Sequence, residues 1–378
     1  MTPRKIIHVL KGKANPNTMN GVNKVVHNLA TTQIELGHDV QVWGITATPG
    51  SVPHEHIYPL HLFTAKKNRF AVGSEMMAAL NHVPPGTIFH LHSVFLPELY
   101  ALSRQLKKRR FKWVISPHGG YALESRKKNG LLKAIYMALF ESKMIKEAAA
   151  IHAIGTYGEA DQFDEITRKT KVGVVPNGHA SSERHKTNYA KDGPLRLSYC
   201  GRLARAHKGL DLLLEAISQA VIEGVDIQLD LIGDGPDREN LESMTESLGL
   251  TNRVIFHGIK MGEEKESLIL KSDVFVHTSR WEGIPTAVLE AAGLGLPLLV
   301  TLPTNMGEYV GVAKAGYVIE DLSPESIAGV IRLADAEKKS GALEGKGMLS
   351  RNMIERLFAW ERIVSLINKS VYSKAVIE

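Results

Sequence analysis

Cysteine is all but missing: Cys200 is the single one in 378 residues. That excludes a disulfide framework and leads us to expect a reducing compartment. No apolar run reaches the roughly 20 residues a membrane-spanning helix needs. Met1–Lys5 leads straight into the strand-like run Ile6–Leu10, with no signal-peptide pattern, so a cytoplasmic chain is expected. Asp-x-Asp pairs are absent, which leaves a catalytic divalent ion without an evident home. Aromatic residues make up only 6%, and Phe111, Trp113 and Tyr121 are too sparse among the basic runs for nucleic-acid stacking. We find no internal repeat and no low-complexity tract.

What is present describes a globular protein, with 44% hydrophobic and 23% charged residues. The length is too great for one ordinary core, so two domains are expected. The net charge of +6 hides an asymmetry. Up to Ala180, 23 Lys and Arg stand against 12 Asp and Glu; the remainder holds 23 against 28. A basic half suits an anionic membrane surface or an anionic substrate as well as it suits nucleic acid. Strand-like runs at Ile6–Leu10, Val40–Ile45, Ile88–His92, Trp113–Ser116, Ala149–Ile154 and Val172–Pro176 alternate with helical patterns. A second series begins at Leu195–Cys200, after a polar stretch, Ser181–Gly193, read as the linker. Alternation of this kind predicts parallel, doubly wound sheets in an α/β protein. The helical spacing of Met353, Leu357, Trp360, Val364 and Ile367 predicts a C-terminal helix over 351–372.

The densest signal lies in residues 272–300. Asp273–His277 reads as a strand, and Gly283 and Pro285 open a helix through Thr286–Gly293, with Pro near the first helical position. The N–H groups around Gly283, Ile284 and Thr286 therefore sit at a helix N-terminus, a natural site for phosphate or sugar oxygens. Glu282 stands just before that end and Glu290 two turns beyond it, which is more acid than a core helix requires. Cys200-Gly201-Arg202 ends a strand, and Lys208-Gly209 opens the next helix, placing two cations where such folds bind ligands across a cleft. Ser116-Pro117-His118-Gly119-Gly120 ends a first-half strand, and the glycines leave His118 either accessible or structurally satisfied. His90 and His92 alternate on one strand and point the same way, as packed or hydrogen-bonded residues rather than metal ligands. Gly233-Asp234-Gly235 lacks a third glycine, since Arg238 takes that place, and reads as a plain turn rather than a dinucleotide site. Basic runs at Lys107–Lys112 and Arg126–Lys128 adjoin Leu131–Lys146. There an apolar period is flanked by Lys133, Lys143 and Lys146, as in a half-buried helix or a membrane-surface contact.

These residues resemble family 4 of the retaining glycosyltransferases, with the GT-B fold of two Rossmann-like domains facing across a cleft. Asn20-Gly21-Val22 is similar to its N-terminal glycine loop, and Val175-Pro176-Asn177-Gly178 to its end-of-first-domain turn. Gly201-Arg202 with Lys208-Gly209 resembles its diphosphate pair, Glu282 through Glu290 its paired-glutamate motif, and Trp360-Glu361 its last helix. One departure is Asn20, where the family commonly has glycine. The resemblance implies an acceptor-binding domain over 1–180, a donor-binding domain over 194–355, and a helix over 356–378 returning to the first domain.

It also implies roles. Arg202 and Lys208 would hold the donor diphosphate and stabilise charge on the leaving group. Glu290 would accept from the ribose hydroxyls; Glu282 and the turn Gly283-Ile284-Pro285-Thr286 would hold the sugar. His118 would contact the sugar near the reacting carbon, Gly21 would let its loop approach the diphosphate, and the base would lie near Gly258-Ile259. No metal or other cofactor is implied beyond the donor, a UDP- or GDP-sugar. The implied activity is metal-independent, retaining transfer of a hexose to a glycan or lipid-linked acceptor in bacterial surface polysaccharide assembly, such as O-antigen, capsule or lipopolysaccharide. The implied location is the inner face of the cell membrane. Two other readings stand beside it: a nucleotide-sugar 2-epimerase of similar fold, and a non-catalytic nucleotide-sugar-binding regulator. The glutamates do not read as a hydrolase pair, because they share one short helix and its entry rather than flanking a bond.

Overall fold

The computed structural model describes residues 5–18, 20–50, 52, 54–121, 130–155, 172–179 and 182–376. Arg126-Lys127-Lys128 lie outside the described residues. The chain forms two compact units, Met1–Gly178 with Trp360–Glu378, and His179–Ala359.

The first unit holds β1 (Ile6–Lys11), β2 (Val40–Thr46), β3 (Leu60–Thr64), β4 (Ile88–His92), β5 (Lys112–Ser116), β6 (Ala150–Ala153) and β7 (Val172–Val174). They make one parallel sheet in the order β3-β2-β1-β4-β5-β6-β7, so the strand order reverses between β1 and β4. Ligands of open α/β sheets bind beyond the strand ends at such a reversal. Side chains alternate between two cores. Ile7 and Val9 join one with Trp43, Phe89 and Trp113. Ile6 and Leu10 join the other with Val25, Val26 and Leu29 of helix Gly21–Glu35. The strand β3 carries no sequence signal strong enough to predict it: Leu60-His61-Leu62-Phe63-Thr64 is an edge, half exposed and mixed in character.

The second unit holds β8 (Leu195–Cys200), β9 (Ile227–Ile232), β10 (Val254–Gly258), β11 (Val274–His277), β12 (Leu298–Thr301) and β13 (Gly316–Ile319). Their order is β10-β9-β8-β11-β12-β13, again all parallel, with the reversal between β8 and β11. The strand β13 was not foreseen either.

Two boundary expectations need correction. Residues 182–193 do not form a free tether but pack on the second unit: Lys186 N–H donates to Leu294 O at 2.8 Å and Tyr189 OH to Gly295 O at 2.5 Å. The expected single helix over 351–372 is instead broken at Ala359, which takes an extended ψ of 133°. Phe358 is buried in a core of the second unit, and Trp360 in one of the first. An apolar side chain is needed on each side of the break, so the helical period runs through it unaltered. Trp360 in turn explains Gly178, where an added Cβ would lie 2.3 Å from the indole. Among the described residues no helix is long and apolar enough to cross a membrane.

Candidate active site

In the second unit the loops after β8 and β11 are tied together. Arg280 sets both guanidinium nitrogens on Asp211 at 2.8 Å each, and its N–H donates to His207 O at 2.9 Å. His207 donates through Nε2 to Trp281 O at 2.8 Å and stacks on that indole at 4.6 Å. Thr278 Oγ1 donates to Lys208 O and Gly209 O at 3.2 and 3.1 Å. Gly209 caps the short helix Arg205–Lys208 at φ +61°, and a Cβ there would stand 2.1 Å from Thr278 O. Only glycine lets the loops meet this closely.

This scaffold aims Lys208 at Glu282. Lys208 Nζ donates to Glu282 Oε1, and His277 Nε2 and Ser279 Oγ donate to the same oxygen at 3.3 and 3.2 Å. Glu282 Oε2 takes no hydrogen bond among the described residues. Burial alone would raise this carboxyl's pKa, but the His277 hydrogen bond and the nearby Lys208 outweigh it and hold it well below the usual range. Burial keeps His277 and His207 below their ordinary value although Glu282 pulls both upward. The main chain of Glu282 is pinned as well, its N–H on Pro303 O and its carbonyl under Asn305 Nδ2 at 2.7 Å.

Helix Thr286–Gly293 follows, with Pro285 as the extended residue just before it rather than within it, and no side chain caps its first turn. Glu290 on this helix accepts from Lys265 Nζ at 2.6 Å, and Lys265 is itself buried. Arg202 is exposed at the end of β8, and Tyr199 OH donates to its carbonyl at 3.1 Å. Ile259 is exposed directly after β10, while Ile284 is buried. The fold thus brings Lys208, Glu282, Gly283, Ile284, Pro285, Thr286 and Glu290 to one end of the sheet. His277, Ser279 and Lys265 join them unforeseen. His277 ends a strand, the one signal that could have marked it; nothing in the sequence marks Lys265.

The first unit carries the other expected residues. Asn20, the departure from the family pattern, is the N-cap of helix Gly21–Glu35, its side chain accepting from Val22 N–H at 3.0 Å. Gly21 is the first residue of that helix and not a loop residue, and a Cβ on it would meet nothing within 4 Å. His118 sits at φ +50°, an uncommon conformation for a side-chain-bearing residue, followed by Gly119 at +74°. Its Nε2 lies 3.0 Å from His92 Nδ1. His92 and His90 are both hydrogen-bonded, as their shared face suggested. Nitrogens of His8, His90 and His92 lie within 4.8 Å of one another, the spacing a metal set would need. Both nitrogens of His90, however, are already engaged, with Tyr372 OH at 2.8 Å and Ser116 Oγ at 2.6 Å.

Two parallel, doubly wound units, each with a reversal of strand order, are the units of the GT-B fold. The solved structures agree over nearly the whole chain. Sucrose-phosphate synthase of Thermosynechococcus elongatus superposes with a TM-score of 0.76 at 17% identity, covering 98% of each chain. Anabaena HepE in complex with UDP superposes with 0.76 at 16%, covering 98% of this chain and all of the other. The family described as Glycosyltransferase Family 4 matches residues 19–181, and that described as Glycosyl transferases group 1 matches residues 181–342. The chain therefore belongs to the family 4 glycosyltransferases. Curated relatives include the putative colanic acid biosynthesis glycosyltransferase WcaL of Salmonella typhimurium, 29% identical over 40% of this chain and 38% of its own. Another is the alpha-D-kanosaminyltransferase of Streptomyces kanamyceticus, 32% identical over 50% of this chain and 46% of its own. The chain spans less than half the length of these two relatives.

Proposed function

We propose that the chain transfers a hexose, with retention and without a metal, from a nucleotide-diphosphate sugar to a glycan or lipid-linked acceptor in bacterial surface polysaccharide assembly. The observation that carries the reading is the state of Glu282. One of its oxygens is saturated by Lys208, His277 and Ser279, while the other takes no hydrogen bond among the described residues and the carboxylate is held ionised. Such a group accepts hydrogen bonds from sugar hydroxyls and does not donate a proton. His277 and His207 of the same unit are held below their ordinary value by burial and are neutral at pH 7. The named site therefore supplies acceptors, cations and a helix N-terminus, suited to fixing a donor and stabilising a leaving diphosphate rather than to general acid–base work. In this reading Arg202 and Lys208 meet the diphosphate, Glu290 the ribose, and the leaving phosphate takes the acceptor's proton.

Calorimetry with UDP and GDP, on wild type and Glu290→Ala, tests it. One nucleotide should bind, and the variant should lose about ten- to a hundredfold in affinity, the value of a hydrogen bond to a charged group. No binding of either nucleotide, or an unchanged variant, contradicts the reading. A donor-only assay separates a transferase, which needs an acceptor, from an epimerase.

The membrane assignment rests on helix Gly130–Tyr136 and its continuation to Glu147. Leu131, Leu132, Ile135 and Leu139 are exposed there, beside exposed Lys143 and Lys146. We place this face on an anionic leaflet on the cytoplasmic side, with the apolar side chains in the headgroup boundary. Sedimentation with phosphatidylglycerol vesicles should capture the protein and spare Leu132→Asp; equal capture by neutral vesicles contradicts an anionic surface.

A further inference from the structure

One face of the first sheet buries a stripe of polar rings where a core would be apolar. His8 lies between Ile6 and Leu10 on β1, His90 and His92 follow Ile88 on β4, Ser116 ends β5, and His152 lies on β6. Strand alternation puts them all on the face covered by helix Gly21–Glu35. Register pairs His8 with His90 and His92 with Ser116. The stripe spans the reversal between β1 and β4 and ends at His118, just beyond β5.

We propose that His8 and His92, anchored by the side-chain carbonyl of Gln33, are positioning residues that hold His118 in a single tautomer. In that tautomer the proton is on Nε2 and Nδ1 is a standing acceptor. The direction follows from the anchor. Gln33 Oε1 can only accept, and it lies 2.7 Å from His8 Nε2, so that nitrogen carries the proton. A neutral His8 then has a bare Nδ1, which accepts from His92 Nε2–H at 2.9 Å. The bare His92 Nδ1 accepts in turn from His118 Nε2–H at 3.0 Å. A second chain in the stripe obeys the same logic. Val175 O accepts from His152 Nε2–H at 2.9 Å, His152 Nδ1 from Ser116 at 2.8 Å, Ser116 from His90 Nε2–H at 2.6 Å, and His90 Nδ1 from Tyr372 OH at 2.8 Å. Two carbonyls thus set five rings alike. Burial keeps all five neutral near pH 7, which preserves the one-way order. The inference rests on the reading of His118 as a donor-contacting residue: a fixed Nδ1 lone pair is an acceptor for a sugar hydroxyl, and its placement at φ +50° is held by His92.

The test reads tautomers directly, in the full chain labelled with 15N-histidine, by long-range proton–nitrogen correlation between pH 7 and 8. In wild type all five rings should carry the proton on Nε2. Gln33→Leu removes the anchor three groups away from His118, so His118 should show both tautomers, a loss of roughly tenfold bias corresponding to one net hydrogen bond. His92→Leu should do the same, whereas His92→Asn keeps an acceptor toward His118 and should restore the single form. A proton on His118 Nδ1 in wild type overturns the proposal. So does an unaltered His118 in both leucine variants, with folding checked by the amide spectrum. UDP and GDP calorimetry on the same samples reports separately on the glycosyltransferase reading. A chain that binds neither nucleotide yet holds one tautomer keeps the relay and loses the donor role.

Discussion

Mild acid should destabilise the first unit. His8, His90, His92 and His152 are fully buried, and burial lowers each of them from 6.5, His8 and His152 to about 4. In the unfolded chain they titrate near their ordinary value, so below it the unfolded state takes up protons that the fold refuses. A depressed histidine therefore leaves stability intact above about 6.5 and removes it as pH falls toward the folded value. Between pH 7.5 and 5.5 each such ring shifts the balance by about 1.4 kcal/mol, and four by about 5 kcal/mol. One buried acid works the other way. Glu141 is raised to about 7 by burial, although Tyr121 donates to it at 2.5 Å. A raised carboxyl costs stability above its unfolded value, so acidification relieves about 2 kcal/mol over the same interval. The histidines win, with a net loss of about 3 kcal/mol out of a typical total of roughly 5–15. Trp43, Trp113 and Trp360 are buried in the first unit and Trp281 lies in the second, so indole fluorescence reports mainly on the first. Urea midpoints followed this way at pH 7.5 and 5.5 should differ, the acid one being lower. Equal midpoints, or a higher one at pH 5.5, refute the reasoning.

Two further outcomes follow from the second unit. Lys208→Ala should lower turnover about a hundredfold while the donor's KM moves less, because the cation acts chiefly on charge that develops as the diphosphate leaves; a change confined to KM contradicts that role. Gly209→Ala should cost about 2 kcal/mol or more, since its Cβ meets Thr278 O at 2.1 Å with φ at +61°, and should lower the melting temperature by about 4–8 °C. An unchanged melting curve would mean the two loops can separate freely.

The sequence by itself carried the alternation of strands and helices, the two parallel sheets and the family. These rest on local features: short apolar runs, glycines at strand ends, and a Gly-x-Pro entry to a helix. It also named Glu282, Glu290, Arg202, Lys208 and His118, because strand ends and helix starts announce themselves in one dimension. The break at Ala359 was not legible, since helical spacing continues on both sides and only the change of core marks it. The edge strand β3 was missed because half of it faces solvent. What tertiary structure alone decided is which groups meet. Lys265 reaches Glu290 from a helix 25 residues earlier, and three donors converge on one oxygen of Glu282. His8, His92 and His118 stand on three different segments, joined only when β4 inserts between β1 and β5. Period-two alternation tells which face a residue takes, but not which strand lies beside it. Pairing over tens of residues is settled by the packing of the whole sheet, and so is the state of every buried proton that depends on it.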